Sequence, residues 1–386
     1  MSAPQFLSEV SGALAGSRIT VDLNALVANW RVLRDRGNGA AAGAVVKANA
    51  YGCGIEPVVE ALQAAGCHTF FVAVAEEGLR VKAVAPDARC YVLNGLFPDA
   101  APILADAELT PVLGASDQAQ WWVDEAKRRG TRLPCALHLD TGMERLGFDL
   151  LGLKSLINDP ALMAHLDVQL LMTHFACADD VGHAKTALQM ERIRQASALL
   201  PDVPVSCANS AANLQMDGLE GALTRPGIAL YGGEALNDVE NPMQTVVTLE
   251  GRICQIRNAK AGEAVGYGAS ETLTRDTRLA YVSVGYADGY LRSGSNSGVP
   301  MRFVAPGAKA AINGTVLNGV GRISMDLAAF DVTDLPPDGV KAGDWIELFG
   351  PTIPVDDVAR AAGTIGYELL TGLSRRAHRV YLPVSG

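Results

Sequence analysis

The stretch Gly43-Ala-Val-Val-Lys47-Ala-Asn-Ala-Tyr51-Gly52 decides the fold that we expect for this chain. Its small and β-branched residues favour a strand buried on both faces, and a turn that contains glycine follows. A strand that ends in Lys47 places an ammonium group at the mouth of an apolar sheet or barrel. Desolvation there favours the neutral amine, which is the form that attacks an aldehyde. Lys47 is therefore a candidate functional residue, against the alternative of a solvated lysine at a strand end.

Length, charge and cysteine content restrict the class of protein. A chain of 386 residues favours two domains, and a formal net charge of −10 argues against a general nucleic-acid or membrane binder. We find no secretory signal and no apolar run that could span a bilayer. The seven cysteines are scattered without CxxC spacing. This pattern favours a reducing, cytoplasmic location, and it indicates no metal site.

Between residues 20 and 230, short apolar runs alternate with helical stretches. Eight strands separated mostly by helices, with no GxGxxG motif, favour a (β/α)₈ barrel over a doubly wound sheet. The predicted helices lie near residues 75–85, 117–129, 150–157 and 183–200, with a further one from about Glu56. The predicted strands are Ala44–Lys47, Thr69–Val74, Arg89–Asn94, Leu109–Leu113, Cys135–Leu139, Val168–Thr173, Val203–Cys207 and Ala222–Thr224.

Polar residues follow the predicted strands where a barrel enzyme needs them. The C-terminal strand ends of such barrels carry the chemistry, often with a phosphate site after strands seven and eight. We therefore expect one cluster of side chains at this end of the barrel. Its candidates are Lys47, Asp140 to Arg145, Thr173, His174, Asn209, Ser210 and Arg225.

Beyond about residue 240 the pattern changes to short strands separated by Gly, Asp and Pro. This pattern is typical of a mainly antiparallel β domain, and we predict a short helix within it at Val355–Ala362. We therefore predict a barrel domain over residues 1–240 and a β domain over 241–386. A first strand near residues 18–22 is a candidate partner of the C-terminal domain. The predicted C-terminal strands are Arg252–Arg257, Leu279–Val284, Met301–Val304 and Trp345–Phe349.

The stretch Val46-Lys47-Ala-Asn-Ala-Tyr51-Gly-Cys-Gly54 closely resembles the signature of alanine racemases, where the lysine carries pyridoxal phosphate (PLP). Further stretches match that family in the same order and extend the resemblance over almost the whole chain. They are Leu139–Phe148, Thr173-His174-Phe-Ala, Asn209-Ser210-Ala, Arg225-Pro-Gly227, Gly266-Tyr267-Gly, Gly285-Tyr286-Ala-Asp-Gly289, Val320–Asp326 and Ile365-Gly-Tyr367-Glu.

The resemblance implies a cytoplasmic alanine racemase that interconverts L- and D-alanine and supplies D-alanine for peptidoglycan. It implies that Lys47 forms an aldimine with PLP and serves as the base on one face of the substrate. Tyr267, from the partner subunit of a homodimer, would serve on the other face. Removal of an unactivated α-proton needs an electron sink, because general acid–base catalysis supplies only about 10²–10⁴-fold.

The other site residues carry roles that the resemblance also implies. His174 and Arg225 would support the phenolate of Tyr267, and Arg225 would contact the pyridine nitrogen of PLP. An acidic residue takes that position in the related basic amino-acid decarboxylases, so Arg225 argues against decarboxylation. The resemblance also implies cofactor contacts from His174 and from Arg145, which would orient the phenolic oxygen of PLP. The remaining cofactor and phosphate contacts that it implies are Tyr51, Asn209, Ser210, the N–H groups of Gly227 and Ile228, and Tyr367. The implied substrate contacts are Arg145, Tyr286, Met325 and Asp326.

Two positions depart from the family pattern. His138 replaces a lysine that is commonly carbamylated and bridges to Arg145, and imidazole forms no stable carbamate. Cys53 stands where a histidine is usual. Two alternative functions stay open: a racemase of broader amino-acid specificity, because His138 and the substrate-side loops depart from the family pattern, and a non-catalytic PLP-binding carrier, which has a similar lysine. The second is a single barrel without counterparts of Tyr267 and Met325, so the C-terminal region speaks against it.

Overall fold

A computed structural model describes residues 12–37, 39–216, 223–299 and 307–384. The chain forms two compact units. We name Leu26–Gln244 the barrel unit, and Met1–Ala25 together with Thr245–Gly386 the β unit. The domain division predicted above, at residues 240 and 241, stays a prediction. Strand β1 (Ser17–Asp22) lies in the β unit, and helix α1 (Leu23–Arg36) follows it directly.

The barrel unit contains parallel strands in chain order. Strands β3 to β9 form one parallel sheet in that order, and β10 pairs in parallel with β2. The N–H of Arg225, next to β10, donates to the carbonyl of Ala208, next to β9, at 2.8 Å, so the ring closes. The predicted (β/α)₈ barrel is confirmed. Its strands are β2 (Ala41–Ala42), β3 (Ala44–Val45), β4 (Thr69–Val72), β5 (Arg89–Val92), β6 (Thr110–Leu113), β7 (Leu133–His138), β8 (Leu166–Met172), β9 (Val205–Ser206) and β10 (Leu223–Thr224).

Helices alternate with these strands. Helix α1 buries Leu26, Val27, Trp30 and Leu33, whose spacing places them on one face of a helix. Each large side chain buried in this way contributes roughly 1.5–3 kcal/mol. The remaining helical segments are α2 (Lys47–Tyr51), α3 (Ile55–Ala64), α4 (Ala75–Val84), α5 (Ala101–Asp106), α6 (Ser116–Arg129), α7 (Leu150–Ile157), α8 (Pro160–Met163), α9 (Ala184–Ser197) and α10 (Ser210–Gln215).

Several sequence-based boundaries differ from the structure. Lys47 does not end a strand: β3 stops at Val45, and Lys47 opens the helical segment α2. Helices α5, α8 and α10 were missed, because segments of six residues or fewer carry too little 3.6-residue periodicity to be recognised. The predicted strand Met301–Val304 and residue Ala222 lie outside the described residues.

The β unit is mainly antiparallel, as predicted. Its largest sheet has the order β16-β15-β18-β11-β1-β19, and β14 and β17 extend it from β11. The pairing of β1 with β19 is parallel, which is the exception to the prediction. The elements are β11 (Val247–Ala259), β12 (Ala264–Val265), β13 (Glu271–Thr272), β14 (Thr277–Val282), β15 (Lys309–Ile312), β16 (Thr315–Asn318), β17 (Ala328–Asp331), β18 (Trp345–Phe349), α11 (Val355–Ala362), α12 (Gly366–Thr371) and β19 (His378–Leu382).

Within the described ranges, no helix combines the length and the apolar character that a membrane span requires.

Candidate active site

Lys47 begins a turn of unusual backbone conformation. The four residues after it have φ angles of 52°, 55°, 53° and 51° at Ala48, Asn49, Ala50 and Tyr51. A left-handed helical conformation costs non-glycine residues roughly 1–2 kcal/mol each, so this turn persists only where surrounding contacts determine it. The strain is therefore concentrated directly behind the candidate lysine.

Glu77 supplies one of these contacts. Its carboxylate accepts hydrogen bonds from the N–H of Asn49 at 3.2 Å and from the N–H of Ala73 at 2.9 Å. The side chain of Asn49 in turn accepts from the N–H of Ile55 at 3.3 Å, at the start of α3. The sequence analysis missed Glu77, because nothing in a single sequence connects a glutamate on α4 with a turn 28 positions earlier.

The electrostatic environment favours neutral forms of the basic groups near this turn. Burial lowers the pKa of Lys47, the positive charge of Arg145 lowers it further, and Glu77 opposes the change. Burial, followed by the charge of Arg225, lowers the pKa of His174 to about 3 and that of His138 to about 4. Both imidazoles are therefore neutral at neutral pH, and the pKa of the amine is shifted toward its nucleophilic form.

Arg225 is the buried cation of this cluster, with only 3% of its surface exposed. Its guanidinium donates to the hydroxyl of Ser206 and to the carbonyl of Thr173, the latter at 2.7 Å. Burial lowers the pKa of Arg225 to about 10, so the group still carries its charge at neutral pH. Arg225 can only donate hydrogen bonds at the strand ends, and it cannot protonate a bound group.

Arg145 differs from Arg225 in its exposure. It is solvent-exposed, and its guanidinium makes no hydrogen bond or salt bridge to any residue in the described ranges. The loop that leads to it is shaped by Asp140, whose carboxylate accepts from the N–H groups of Gly142 and Met143, both at 2.8 Å. His138 lies at the end of β7 and is 8% exposed. Arg145 is therefore a cation at the barrel mouth that is available to an anionic ligand.

Tyr51 and Gly227 meet at the other side of the lysine turn. Tyr51 is buried and stacks on Tyr231, with ring centroids 4.6 Å apart. The hydroxyl of Tyr51 lies so close to Gly227 that an added Cβ would stand 2.5 Å from it. Only glycine allows this approach of hydroxyl and backbone. Tyr231, which the sequence analysis missed, donates from its hydroxyl to the carbonyl of Val45 at 2.9 Å.

Ser210 completes this group. Its hydroxyl accepts from the N–H of Gly227 at 2.8 Å and from the N–H of Ala229 at 3.3 Å. Ile228 begins a short 3-10 turn, Ile228–Tyr231, directly after Gly227. Asn209 caps α10, since its side chain accepts from the N–H of Ala212 at 3.0 Å. Tyr51, Ser210 and Gly227 are thus brought together, with Asn209 and Ile228 as their neighbours in the chain.

The candidates of the β unit are exposed instead of buried. The exposed fractions are 69% for Tyr267, 54% for Met325, 41% for Tyr286 and 38% for Tyr367. Tyr267 begins a 3-10 turn, Tyr267–Ala269, and Tyr367 lies in α12. Exposed apolar side chains are typical of a covered surface only where they form one contiguous patch, so the placement of these candidates relative to one another is decisive.

The segment Gly321–Met325 connects three of these candidates. A Cβ on Gly268, next to Tyr267, would come within 2.9 Å of the guanidinium of Arg322. The N–H of Tyr286 donates to the carbonyl of Ser324 at 3.1 Å, and the N–H of Ala287 donates to the carbonyl of Met325 at 3.0 Å. The structure thereby gathers Tyr267, Tyr286 and Met325 around one segment.

Arg376, which the sequence analysis missed, connects two acidic residues next to this segment. Its guanidinium pairs with both oxygens of Asp288, at 2.7 and 2.8 Å, and with Asp326 at 2.8 Å. Asp288 is 2% exposed and accepts from the N–H of Gly285 at 2.9 Å. The carboxylate of Asp326, a predicted substrate contact, is therefore engaged by Arg376.

Comparison with known proteins gives matches over almost the whole chain. The family model described as alanine racemase, N-terminal domain, matches residues 21–235, and the one described as alanine racemase, C-terminal domain, matches residues 246–381. The chain is 47% identical over 383 residues to an alanine racemase of Rhizobium meliloti, covering 99% of each chain.

The chain belongs to the alanine racemase family. It is 48% identical over 366 residues to a biosynthetic alanine racemase of Agrobacterium fabrum, covering 95% of this chain and 93% of that one. A crystal structure of alanine racemase from Bartonella henselae with covalently bound pyridoxal phosphate superposes with a TM-score of 0.87 at 36% identity. That likeness covers 95% of this chain and 100% of the other. Members of the alanine racemase family are isomerases that use PLP.

Proposed function

We propose that this protein interconverts L-alanine and D-alanine with PLP as its cofactor, and that two bases, Lys47 and Tyr267, act on opposite faces of the substrate. The observation that carries the proposal is Lys47 itself. It opens a strained turn at the barrel mouth, and burial lowers its pKa. An amine in that state attaches covalently to an aldehyde and also accepts a proton near neutral pH.

The residues present fit PLP. The close approach of the Tyr51 hydroxyl to Gly227, with Ser210 beside them, forms a polar cradle for the phosphate. To bind phosphate, the Gly227 N–H would exchange its Ser210 partner for a phosphate oxygen. Arg225 would contact the pyridine nitrogen of PLP, and Arg145 would orient its phenolic oxygen. Lys47 would hold the aldehyde carbon covalently.

The chemistry that PLP supplies when bound is an electron sink for the charge left at Cα. Arg225 tunes this sink, because a guanidinium with a pKa of about 10 stays protonated and cannot give the pyridine nitrogen a proton. Arg225 would therefore leave the pyridine nitrogen unprotonated, whereas a carboxylic acid in its place would protonate it and strengthen the sink. Such a site favours rapid return of a proton over long-lived charge at Cα, which suits racemisation better than decarboxylation.

Lys47 moves a proton at the substrate Cα on one face, and Tyr267 does so on the other. A phenol with a pKa of about 10 needs help to act as a base at neutral pH. We propose that His174, which is neutral, and the charge of Arg225 provide that help. We also propose that Tyr267 comes from a second copy of the chain in a homodimer, since it is 69% exposed within its own chain.

The substrate carboxylate would be attracted by Arg145 and contacted near Met325, whereas Tyr286 would line the approach. The carboxylate of Asp326 acts through Arg376 in this proposal, because the two already form a 2.8 Å ion pair. We further propose a cytoplasmic location and a supply of D-alanine for peptidoglycan. The described residues contain no disulfide bond, which fits a reducing compartment.

Racemisation of L-alanine by the purified protein tests this function directly. Borohydride reduction of the protein, followed by peptide mass analysis, should reveal a cofactor-sized mass increase on Lys47. A protein that takes up no PLP, or that labels elsewhere, would overturn the assignment of Lys47. Rates on serine and lysine relative to alanine distinguish a strict alanine racemase from one of broader specificity.

A further inference from the structure

Gln189 lies on α9, in none of the stretches that suggested a function, and is completely buried. Its amide makes three hydrogen bonds. The nitrogen donates to the hydroxyl of Thr141 at 3.0 Å and to the carbonyl of His174 at 3.0 Å, and the oxygen accepts from the N–H of Ala176 at 2.9 Å. The amide therefore joins the loop after β7, which leads to Arg145, with the loop after β8, which carries His174.

The partners fix the orientation of this amide. A backbone N–H requires an acceptor and a carbonyl requires a donor, so the oxygen of Gln189 faces Ala176 and the nitrogen faces His174. The hydroxyl of Thr141 must then accept from Gln189, and it shares a second hydrogen bond with the hydroxyl of Thr173, 2.7 Å away, in which either oxygen can donate. The carbonyl of Thr173 in turn accepts from Arg225 at 2.7 Å.

We propose that Gln189 is a positioning residue for the reaction, which holds His174 and the loop of Arg145 in register with Arg225. This inference rests on the proposed function, because it assigns Gln189 a role in aligning the groups that support one of the two bases. Gln189 has no exposed surface, so it acts through its hydrogen-bonding partners. Its effect passes through a buried, fully satisfied amide, whose partners lose more when left unpaired than when replaced together.

Two variants and a matched control test the inference. Gln189→Leu removes the amide at similar volume, and Gln189→Glu keeps the shape and the acceptor but removes the NH₂ donors. The control is Gln195→Leu on the same helix, because Gln195 is exposed and hydrogen-bonds to Glu191 of α9. Thr141→Val breaks the same network from its other end, and it replaces Gln189→Leu should that variant fail to fold.

The first measurement is hydrogen–deuterium exchange of the full-length protein as purified. We expect exchange in the segments 140–146 and 174–178 to rise about tenfold or more in Gln189→Leu and to stay unchanged in Gln195→Leu. Equal exchange of these two segments in wild type, Gln189→Leu and Gln195→Leu would overturn the inference. This result does not depend on racemase activity, so it stands even where the proposed function fails.

The second measurement is the α-deuterium kinetic isotope effect with each enantiomer of alanine. Only one base relies on His174, so the ratio of the two isotope effects should change about twofold or more in both Gln189 variants, while kcat falls about 10–100-fold. A loss of folded protein would lower kcat without changing that ratio. An unchanged ratio would overturn the positioning role, and a wild type that does not racemise alanine would refute the proposed function instead.

Discussion

The two units hold their candidate residues in opposite ways. In the barrel unit, Arg225 is 3% exposed and fixed by two hydrogen bonds, whereas Tyr267 of the β unit is 69% exposed. The barrel unit thus organises its part of the site within one chain. The β unit organises the backbone next to Tyr267, Tyr286 and Met325 and leaves these three side chains exposed. We call the candidates of the barrel unit the barrel half of the site and those of the β unit the β half, and this difference in exposure is the reason for our proposal that a second chain covers the β half.

The largest effect should come from the barrel half. We expect Lys47→Ala to reduce racemisation by about 10⁴-fold or more, since it removes a base and the covalent attachment point together. The control is Lys154→Ala, which changes an exposed lysine of α7 and should leave the rate within about twofold. Steady-state rates of racemisation of L-alanine, measured at saturating PLP, compare the two variants with wild type. Comparable activity of the two variants would remove Lys47 from the mechanism.

Mixed dimers test whether the β half belongs to a second chain. Lys47→Ala and Tyr267→Phe homodimers should both be nearly inactive. A purified heterodimer of the two contains one site without either base and one site with both, so it should regain about half of the wild-type activity. If both bases came from one chain, every site would lack one base. A heterodimer as inactive as its parents would therefore refute the shared site.

The sequence predicts more of the barrel half than of the network that supports it. Lys47, His174 and Arg225 could be found because each one follows a recognisable strand, and barrel strands bring their ends together. The left-handed turn could not be found, because Ala, Asn and Tyr carry no strong preference for it. Glu77, Gln189 and Arg376 could not be found either.

The reason is distance along the chain. Gln189 lies 48 positions from Thr141, and Arg376 lies 88 positions from Asp288. A glutamine or an arginine in an amphipathic or irregular segment reads as solvent-exposed until the fold supplies its partner. Periodicity indicates which face of a helix or strand is buried, but it does not indicate which polar group of another element will hydrogen-bond to a polar side chain on that face.

Desolvation in the barrel half predicts a sensitivity of stability to acid. The pKa of His138 is about 4 in the folded protein and about 6.5 in an unfolded chain, so the unfolded state binds more protons between these values. Stability should fall as the pH drops from about 6.5 to 4, by up to about 3 kcal/mol from this group. Urea unfolding of wild type and His138→Gln at both pH values measures the contribution.

The control for this experiment is His68→Gln, which changes an exposed histidine of the barrel unit. The His138 variant should lose less stability on acidification than wild type, whereas the His68 variant should follow wild type. Parallel curves for all three proteins would show that burial of His138 does not govern the acid response.

In the β half, the two ion pairs of Arg376 should contribute unequally to the free energy of unfolding, because Asp288 is buried and Asp326 is exposed. Arg376→Ala leaves the buried carboxylate of Asp288 unpaired, and because Arg376 itself is half exposed we expect a loss of about 1–3 kcal/mol. Asp326→Ala keeps the Asp288 pair and should cost less than about 1 kcal/mol. Denaturant unfolding compares them, and an equal loss in both variants would contradict the ranking.

The smallest expected effect concerns bicarbonate, and it tests whether the barrel half is complete without a carbamate. The resemblance described in the sequence analysis implies a carbamylated lysine at the position of His138, and imidazole forms no stable carbamate. We therefore expect no change in wild-type activity when bicarbonate is added or removed. An anion such as chloride would then occupy the space between His138 and Arg145, since Arg145 has no hydrogen-bonding partner among the described residues.

The variant His138→Lys makes this expectation sharper, because it restores a side chain that can form the carbamate. Its activity should rise with bicarbonate while that of the wild type stays constant, and a crystal structure should reveal the modified lysine facing Arg145. A wild-type response to bicarbonate, or a neighbouring lysine found carbamylated and bridging to Arg145, would contradict this account. In that case the exposed guanidinium would be held by a group that the chain supplies only after modification, and the barrel half would be incomplete by itself.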